Sequence, residues 1–231
     1  MDMSSTVASH RHRAEDIQRE VAVGQLRLAG DVCVPAGTKA LVVFAHGSGS
    51  SRLSPRNTAV AKALSEQGIA TLLFDLLSAD EELDRTNVFD IPLLAERLVD
   101  VVGWIGDQRE FAGLKLGFFG ASTGAAAALV AAAQLGAQIG GIVSRGGRPD
   151  LAGAALEKVS APTLIIVGGR DSGVIELNQS AYARLNCRKS IEIVPGATHL
   201  FPESGAMETV TSLAGQWFTT YLVRPSRDHA R

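Results

Sequence analysis

The order of elements along this 231-residue chain predicts an α/β fold: a mostly parallel central sheet, an N-terminal antiparallel hairpin, and helices on both faces. Three observations carry the prediction. Short runs of consecutive apolar residues recur along the chain, as strands covered on both faces require. Helical stretches separate them, long enough for right-handed crossovers between parallel strands. The third is composition: 46% hydrophobic against 20% charged, which favours a packed core over disorder.

Taken in order, residues 1–16 are expected to be a flexible, solvated segment. They hold His10-Arg11-His12-Arg13 and lack the apolar stretch of a signal peptide. The folded domain is expected over 17–224, with a flexible tail over 225–231. Its first piece is a hairpin: Ile17 to Val23, a break at Gly24, then Gln25 to Val34 with Leu26, Leu28 and Val32 on alternating positions. Pro35-Ala36-Gly37 ends it. The later apolar runs are Ala40–Ala45, Ile69–Phe74, Leu116–Phe119, Ile139–Val143, Thr163–Val167 and Ile191–Val194. Helices are expected over Thr58–Gln67, Ile91–Gln108, Thr123–Leu135, Leu151–Lys158 and Ile175–Leu185, with a last one over about Ala206–Leu222.

Charge and cysteine usage narrow the function classes. The formal net charge of −2 supplies no basic footprint for nucleic acid and no cationic face for a membrane. No run approaches the length of a spanning helix, so a soluble, cytoplasmic protein is expected. Cys33 and Cys187 lie far apart and outside any metal-ligand spacing, so both are expected as free thiols. Neither a metal nor a cofactor is expected.

In a parallel sheet of this kind, function sits beyond the carboxyl ends of the strands. After Leu116–Phe119 comes Gly120-Ala121-Ser122-Thr123-Gly124, then the small-residue helix containing Ala125 to Ala128. This is G-x-S-x-G between a strand and a helix, the context in which a serine hydroxyl is held out on a strained turn. After Ala40–Ala45 comes His46-Gly47-Ser48-Gly49-Ser50-Ser51, a loop able to turn backbone N–H groups towards that serine. The oxyanion donors are expected to be the N–H groups of Ser48 and Thr123, with Gly47 or Gly49 as alternatives to Ser48. His46 is read as a buried residue that shapes the loop.

Asp171 follows Thr163–Val167, and His199 follows Ile191–Val194. The chain order Ser122, Asp171, His199 is that of the triad on this type of sheet. A serine hydroxyl is a weak nucleophile at neutral pH and needs His199 as base, while Asp171 sets the imidazole tautomer. Asp150 is an alternative acid, and Asp75 is read as a loop or cap residue.

The His46–Gly49 loop, the Gly120–Gly124 elbow, the Gly168-Gly169-Arg170-Asp171 segment and the Gly196-Ala197-Thr198-His199 segment together resemble the dienelactone hydrolase-like branch of the α/β-hydrolases. The resemblance runs from about residue 20 to residue 222. It is similar to bacterial hydrolases sometimes found fused to phosphoribosyltransferase domains. It implies an α/β-hydrolase fold and carboxylic-ester chemistry, but dienelactone hydrolases proper use cysteine where this elbow presents Ser122. The segment Ser144–Ala161 has no room for a helical lid, so an open site without a cap domain is expected, partly covered by Ser78–Asp90. Arg145 and Arg148 lie at the same edge, either paired with acids such as Asp150 or free to hold a substrate anion.

The expectation is a serine hydrolase that cleaves small-molecule esters through an acyl-enzyme. An acyltransferase using the same intermediate, and a hydrolase-fold ligand receptor with little turnover, are the alternatives.

Overall fold

The computed structural model describes residues 16–224, and within them eight strands join one sheet. In chain order they are β1 (Ile17–Val23), β2 (Leu28–Val34), β3 (Ala40–Ala45), β4 (Ala70–Phe74), β5 (Lys115–Ala121), β6 (Ile139–Arg145), β7 (Thr163–Gly168) and β8 (Lys189–Val194). Across the sheet the order is β1-β2-β4-β3-β5-β6-β7-β8. The β1–β2 and β2–β4 pairs are antiparallel, and all pairs from β4 to β8 are parallel. The helices are α1 (Pro55–Glu66), α2 (Ala79–Leu83), α3 (Ile91–Gly106), α4 (Thr123–Leu135), α5 (Ser172–Arg184) and α6 (Ala206–Phe218).

Strand alternation sorts the core into two layers. Val42, Phe44, Phe119 and Val143 pack on one face against α1 and α6. Leu41, Val43, Phe118 and Ile142 face the other way, against α3 and α4. All six residues of β3 are buried, which explains why its sequence is apolar without alternation. Each large core side chain contributes roughly 1.5–3 kcal/mol by leaving water. Helix α4 seats closely because Ala125 to Ala128 are small and wholly buried.

Several boundaries differ from expectation for identifiable reasons. Strand β2 starts at Leu28 because residues 24–27 make the hairpin turn, with Gly24 at φ +68° and Arg27 at φ +53°. Leu26 therefore sits on the turn and is exposed. The helix expected over Leu151–Lys158 is instead 3-10 turns over Pro149–Lys158, kinked where Gly153 takes φ +54°. Helix α5 begins at Ser172, directly after Asp171, and α6 ends at Phe218 in a π-turn over Thr219–Val223. The segment 78–90 is more ordered than its composition suggested. It holds α2, fixed by a capping box in which Ser78 and Glu81 satisfy each other's N–H groups.

The expected flexible ends, with His10 and His12, lie outside the described residues except for Asp16, which accepts from Ala36 N–H at 3.1 Å. Among those described, no helix is long and apolar enough to cross a membrane, and Cys33 and Cys187 are free thiols.

Candidate active site

Strand β5 runs into Ser122, which sits at φ +50°, ψ −123° before α4 begins at Thr123. That region is unfavourable for a side chain with a Cβ, so the turn must be held by its surroundings. The two elbow glycines are required by close approach. A Cβ on Gly120 would lie 2.5 Å from Ala125 Cα, and one on Gly124 would lie 2.2 Å from the Ala45 carbonyl oxygen. Strand, helix and the preceding loop thus close on each other only if both positions stay bare. Ser122 Oγ itself makes no hydrogen bond among the described residues, whereas the Ser122 carbonyl accepts from Ala125 and Arg148 N–H.

His199 and Asp171 are brought together by two adjoining loops. His199 Nδ1 lies 2.7 Å from Asp171 Oδ2, so the imidazole is protonated on Nδ1 and donates to the carboxylate. Asp171 ends the β7 segment, and its loop is stitched to the His199 loop by Arg170 N–H donating to the Ala197 carbonyl at 2.9 Å. Glu203, unremarked in the sequence, locks the residue before His199. It accepts from Thr198 N–H at 3.1 Å and from the Thr198 hydroxyl at 2.7 Å. The hydroxyl bond is the main reason the Glu203 carboxyl is held below its ordinary range. Asp150, the alternative acid, is engaged elsewhere: Arg148 grips it through two bonds of 2.9 and 2.8 Å.

The loop after β3 reaches Ser122 at Gly47, where an added Cβ would lie 2.7 Å from Ser122 Cβ. His46 is buried beneath it. Its Nε2 accepts from Leu76 N–H at 3.0 Å, and its Nδ1 donates to the Gly47 carbonyl at 3.0 Å. Burial pushes the His46 imidazole below its ordinary value, against the opposing pull of Gly47, Asp75 and Glu82. Asp75 proves to be more than a loop residue, because it takes both Arg52 N–H (2.8 Å) and the Arg52 guanidinium (2.7 Å).

The two N–H groups expected as oxyanion donors differ in their surroundings. Ser48 N–H is not free, since it donates to the Thr123 hydroxyl at 3.0 Å. The N–H groups of Gly47 and Thr123 have no partner among the described residues. Sequence had pointed to the loop, but a side chain 75 positions away decides which of its donors is taken.

An open cleft of about 700 Å³ runs beside Ser122, walled by residues of the loop after β3 and the start of α1 and by Glu82, Arg85, Val88 and Phe89. Gly47 joins it to Ser122, although neither Ser122 nor His199 is part of its wall. The 78–90 segment therefore covers one side of this space. Arg145 and Arg148 behave differently from one another. Arg148 pairs with Asp150, whereas Arg145 is buried with no acid within 4.0 Å among the described residues. Burial, with Arg56 nearby, lowers the Arg145 guanidinium to about 10. Its position at the end of β6 places it under the His199 loop, with Phe201's ring centre 5.9 Å from the guanidinium.

Comparison with known proteins bears on this arrangement. A family model described as an alpha/beta hydrolase domain matches residues 38–214. A dienelactone hydrolase from Anabaena variabilis is 50% identical, with a TM-score of 0.87 over 91% of this chain and 100% of that one. Est1E from Butyrivibrio proteoclasticus has the same fold at 17% identity, with a TM-score of 0.73 over 88% of this chain and 98% of that one. Curated relatives described as putative phosphoribosyl transferases, from two strains of Mycobacterium tuberculosis, are 55% identical over 213 residues. That match covers 92% of this chain but only 48% of theirs, so the chain spans about half the length of these relatives.

Proposed function

The chain belongs to the α/β-hydrolase family, in its dienelactone hydrolase-like branch, and from that premise we propose that it hydrolyses carboxylic esters of small substrates by a Ser122–His199–Asp171 triad. The single observation that carries this reading is the 2.7 Å bond between His199 Nδ1 and Asp171 Oδ2, beside a strained serine elbow. With Nδ1 committed to the carboxylate, Nε2 is left as the lone-pair nitrogen that a serine hydroxyl needs. Ser122 Oγ and His199 make no hydrogen bond to each other among the described residues, and nucleophile–base bonds commonly tighten only when substrate binds.

In the proposed reaction Ser122 Oγ adds to the ester carbonyl carbon while His199 Nε2 takes the hydroxyl proton. The carbonyl oxygen becomes an oxyanion, received by the N–H groups of Thr123 and Gly47. Each such donor is worth about 2.7–4 kcal/mol of transition-state stabilisation in a comparable hydrolase. The tetrahedral adduct collapses, the carbon–oxygen bond to the alcohol breaks, and His199 returns the proton to the departing alcohol. Water then attacks the acyl-enzyme with His199 again as base, freeing the acid and Ser122. Asp171 stays ionised and stabilises the imidazolium at both steps.

Ser122→Ala should remove turnover of short p-nitrophenyl esters while circular dichroism and the melting temperature stay close to the parent's. Retained ester turnover in that variant would sink the proposal. Adding an alcohol at fixed ester concentration separates hydrolysis from acyl transfer by the products formed.

A further inference from the structure

We propose that the first turn of α1, together with Arg56 and Arg145, is a binding site for a phosphate group. Resting on the esterase reading above, we add that the site selects esters carrying such a group.

Helix α1 is twelve residues long and starts without a side-chain cap: the Ser54 hydroxyl accepts no bond from the turn it precedes, although the Ser54 carbonyl accepts from Thr58 N–H. Pro55 has no N–H to offer. The N–H groups of Arg56 and Asn57 find no partner among the described residues. A helix start of this kind presents partial positive charge and free donors to whatever anion lies before it.

The independent observation is Arg145, which arrives from a different element. It is only 4% exposed, yet its Nε has no partner, and its sole bond runs to Asn57 Oδ1 (3.2 Å), on that same first turn. Arg56 walls the cleft and also has a buried, unpartnered Nε. The contrast with the other arginines decides the matter. Arg19, Arg52, Arg97, Arg148 and Arg184 each pair with a carboxylate. Of the described arginines that pair with none, Arg27, Arg85, Arg109, Arg170, Arg188 and Arg224 are exposed to water, whereas Arg56 is half-buried and Arg145 buried. Two neighbouring guanidinium groups, one of them buried, repel each other without an anion between them.

A dianion with three or more acceptor oxygens answers that arrangement better than a single carboxylate. It balances both cations and still has oxygens for the two N–H groups. The same cleft wall carries Arg56 and Gly47, and Gly47 abuts Ser122. A substrate with phosphate at α1 therefore extends along the cleft towards the nucleophile.

The test begins with the intact chain carrying Ser122→Ala, titrated with inorganic phosphate by calorimetry. One saturable site is expected, weakened at least tenfold by Arg56→Gln and by Arg145→Lys. Arg56 is only half-buried, so its variant reports even where the Arg145 variant fails to fold. No saturable binding overturns the proposal, as does equal affinity in Arg56→Gln, or acetate binding as tightly as phosphate. The second arm uses the wild-type chain with two p-nitrophenyl esters, one neutral and one bearing phosphate on its acyl chain. The phosphorylated ester should show a KM at least tenfold lower, and Arg56→Gln should bring the KM ratio near one. If neither ester is turned over, the esterase reading fails, while the calorimetry still judges the phosphate site.

Discussion

Ser122 at φ +50° is the residue on which local strain and chemistry meet, because a relaxed backbone there would withdraw its hydroxyl into the α4 turn. Its neighbours supply the restraint, and His46 is the least obvious of them. Protonation of His46 Nε2 would replace an acceptor by a donor facing Leu76 N–H, and would bury a charge. Since the folded imidazole sits below its ordinary value of 6.5, its contribution to stability is full above about pH 6.5 and is lost as pH falls towards the folded value. Thermal unfolding between pH 8 and pH 5 should therefore fall more steeply for the parent than for His46→Gln. The difference is about 1.4 kcal/mol for each unit by which the pKa is lowered. Parallel curves would show that His46 is protonated alike in both states. The placement of Ser122, Asp171 and His199 at one edge of the sheet was legible in the sequence because Ser122 directly follows an apolar strand run and the other two lie in the loops after such runs. Glu203 and the unpaired state of Arg145 were not: the Glu203–Thr198 bonds depend on a loop conformation that apolar periodicity does not encode, and Arg145's surroundings are assembled from distant elements.

At the scale of elements, the site is the meeting of three loops with the start of α4. The loop after β3 is tied down by His46 to Leu76, by Arg52 to Asp75, and by Ser48 N–H to the Thr123 hydroxyl. The last tie joins the loop to the residue next to the nucleophile. Thr123→Val keeps the shape but removes the acceptor, losing a bond worth about 1 kcal/mol. We expect kcat for a p-nitrophenyl ester to drop about fivefold with KM little changed, and Thr123→Ser to retain parental kcat. Equal or higher activity in Thr123→Val would return the Ser48 N–H to the oxyanion hole. Element boundaries were read less well than element types. The turn at residues 24–27 and the kink at Gly153 depend on backbone angles that apolar periodicity does not encode. The order in segment 78–90 was missed because its capping box, Ser78 with Glu81, lies in a short acidic stretch with no apolar stripe.

For the whole molecule, sheet order is what turns a list of motifs into one site. Strands β3, β5, β6, β7 and β8 are adjacent and parallel, so the loops bearing Gly47, Ser122, Arg145, Asp171 and His199 emerge along one edge. Runs apolar on both faces foretold the parallel sheet, and covering helices account for those of β3 to β7, while the edge strand β8 leaves Ile193 exposed. The cleft between the 46–56 loop and the 78–94 segment is open, consistent with the short 3-10 connection between β6 and β7. The proposed role of Ser122 as a nucleophile activated by His199 is best tested by covalent labelling with a fluorophosphonate followed by peptide mass analysis. A single adduct on the peptide containing Ser122 is predicted, absent in Ser122→Ala and at least a hundredfold slower to form in His199→Ala. Labelling at another residue, or none at all in a chain that still turns over ester, would contradict it.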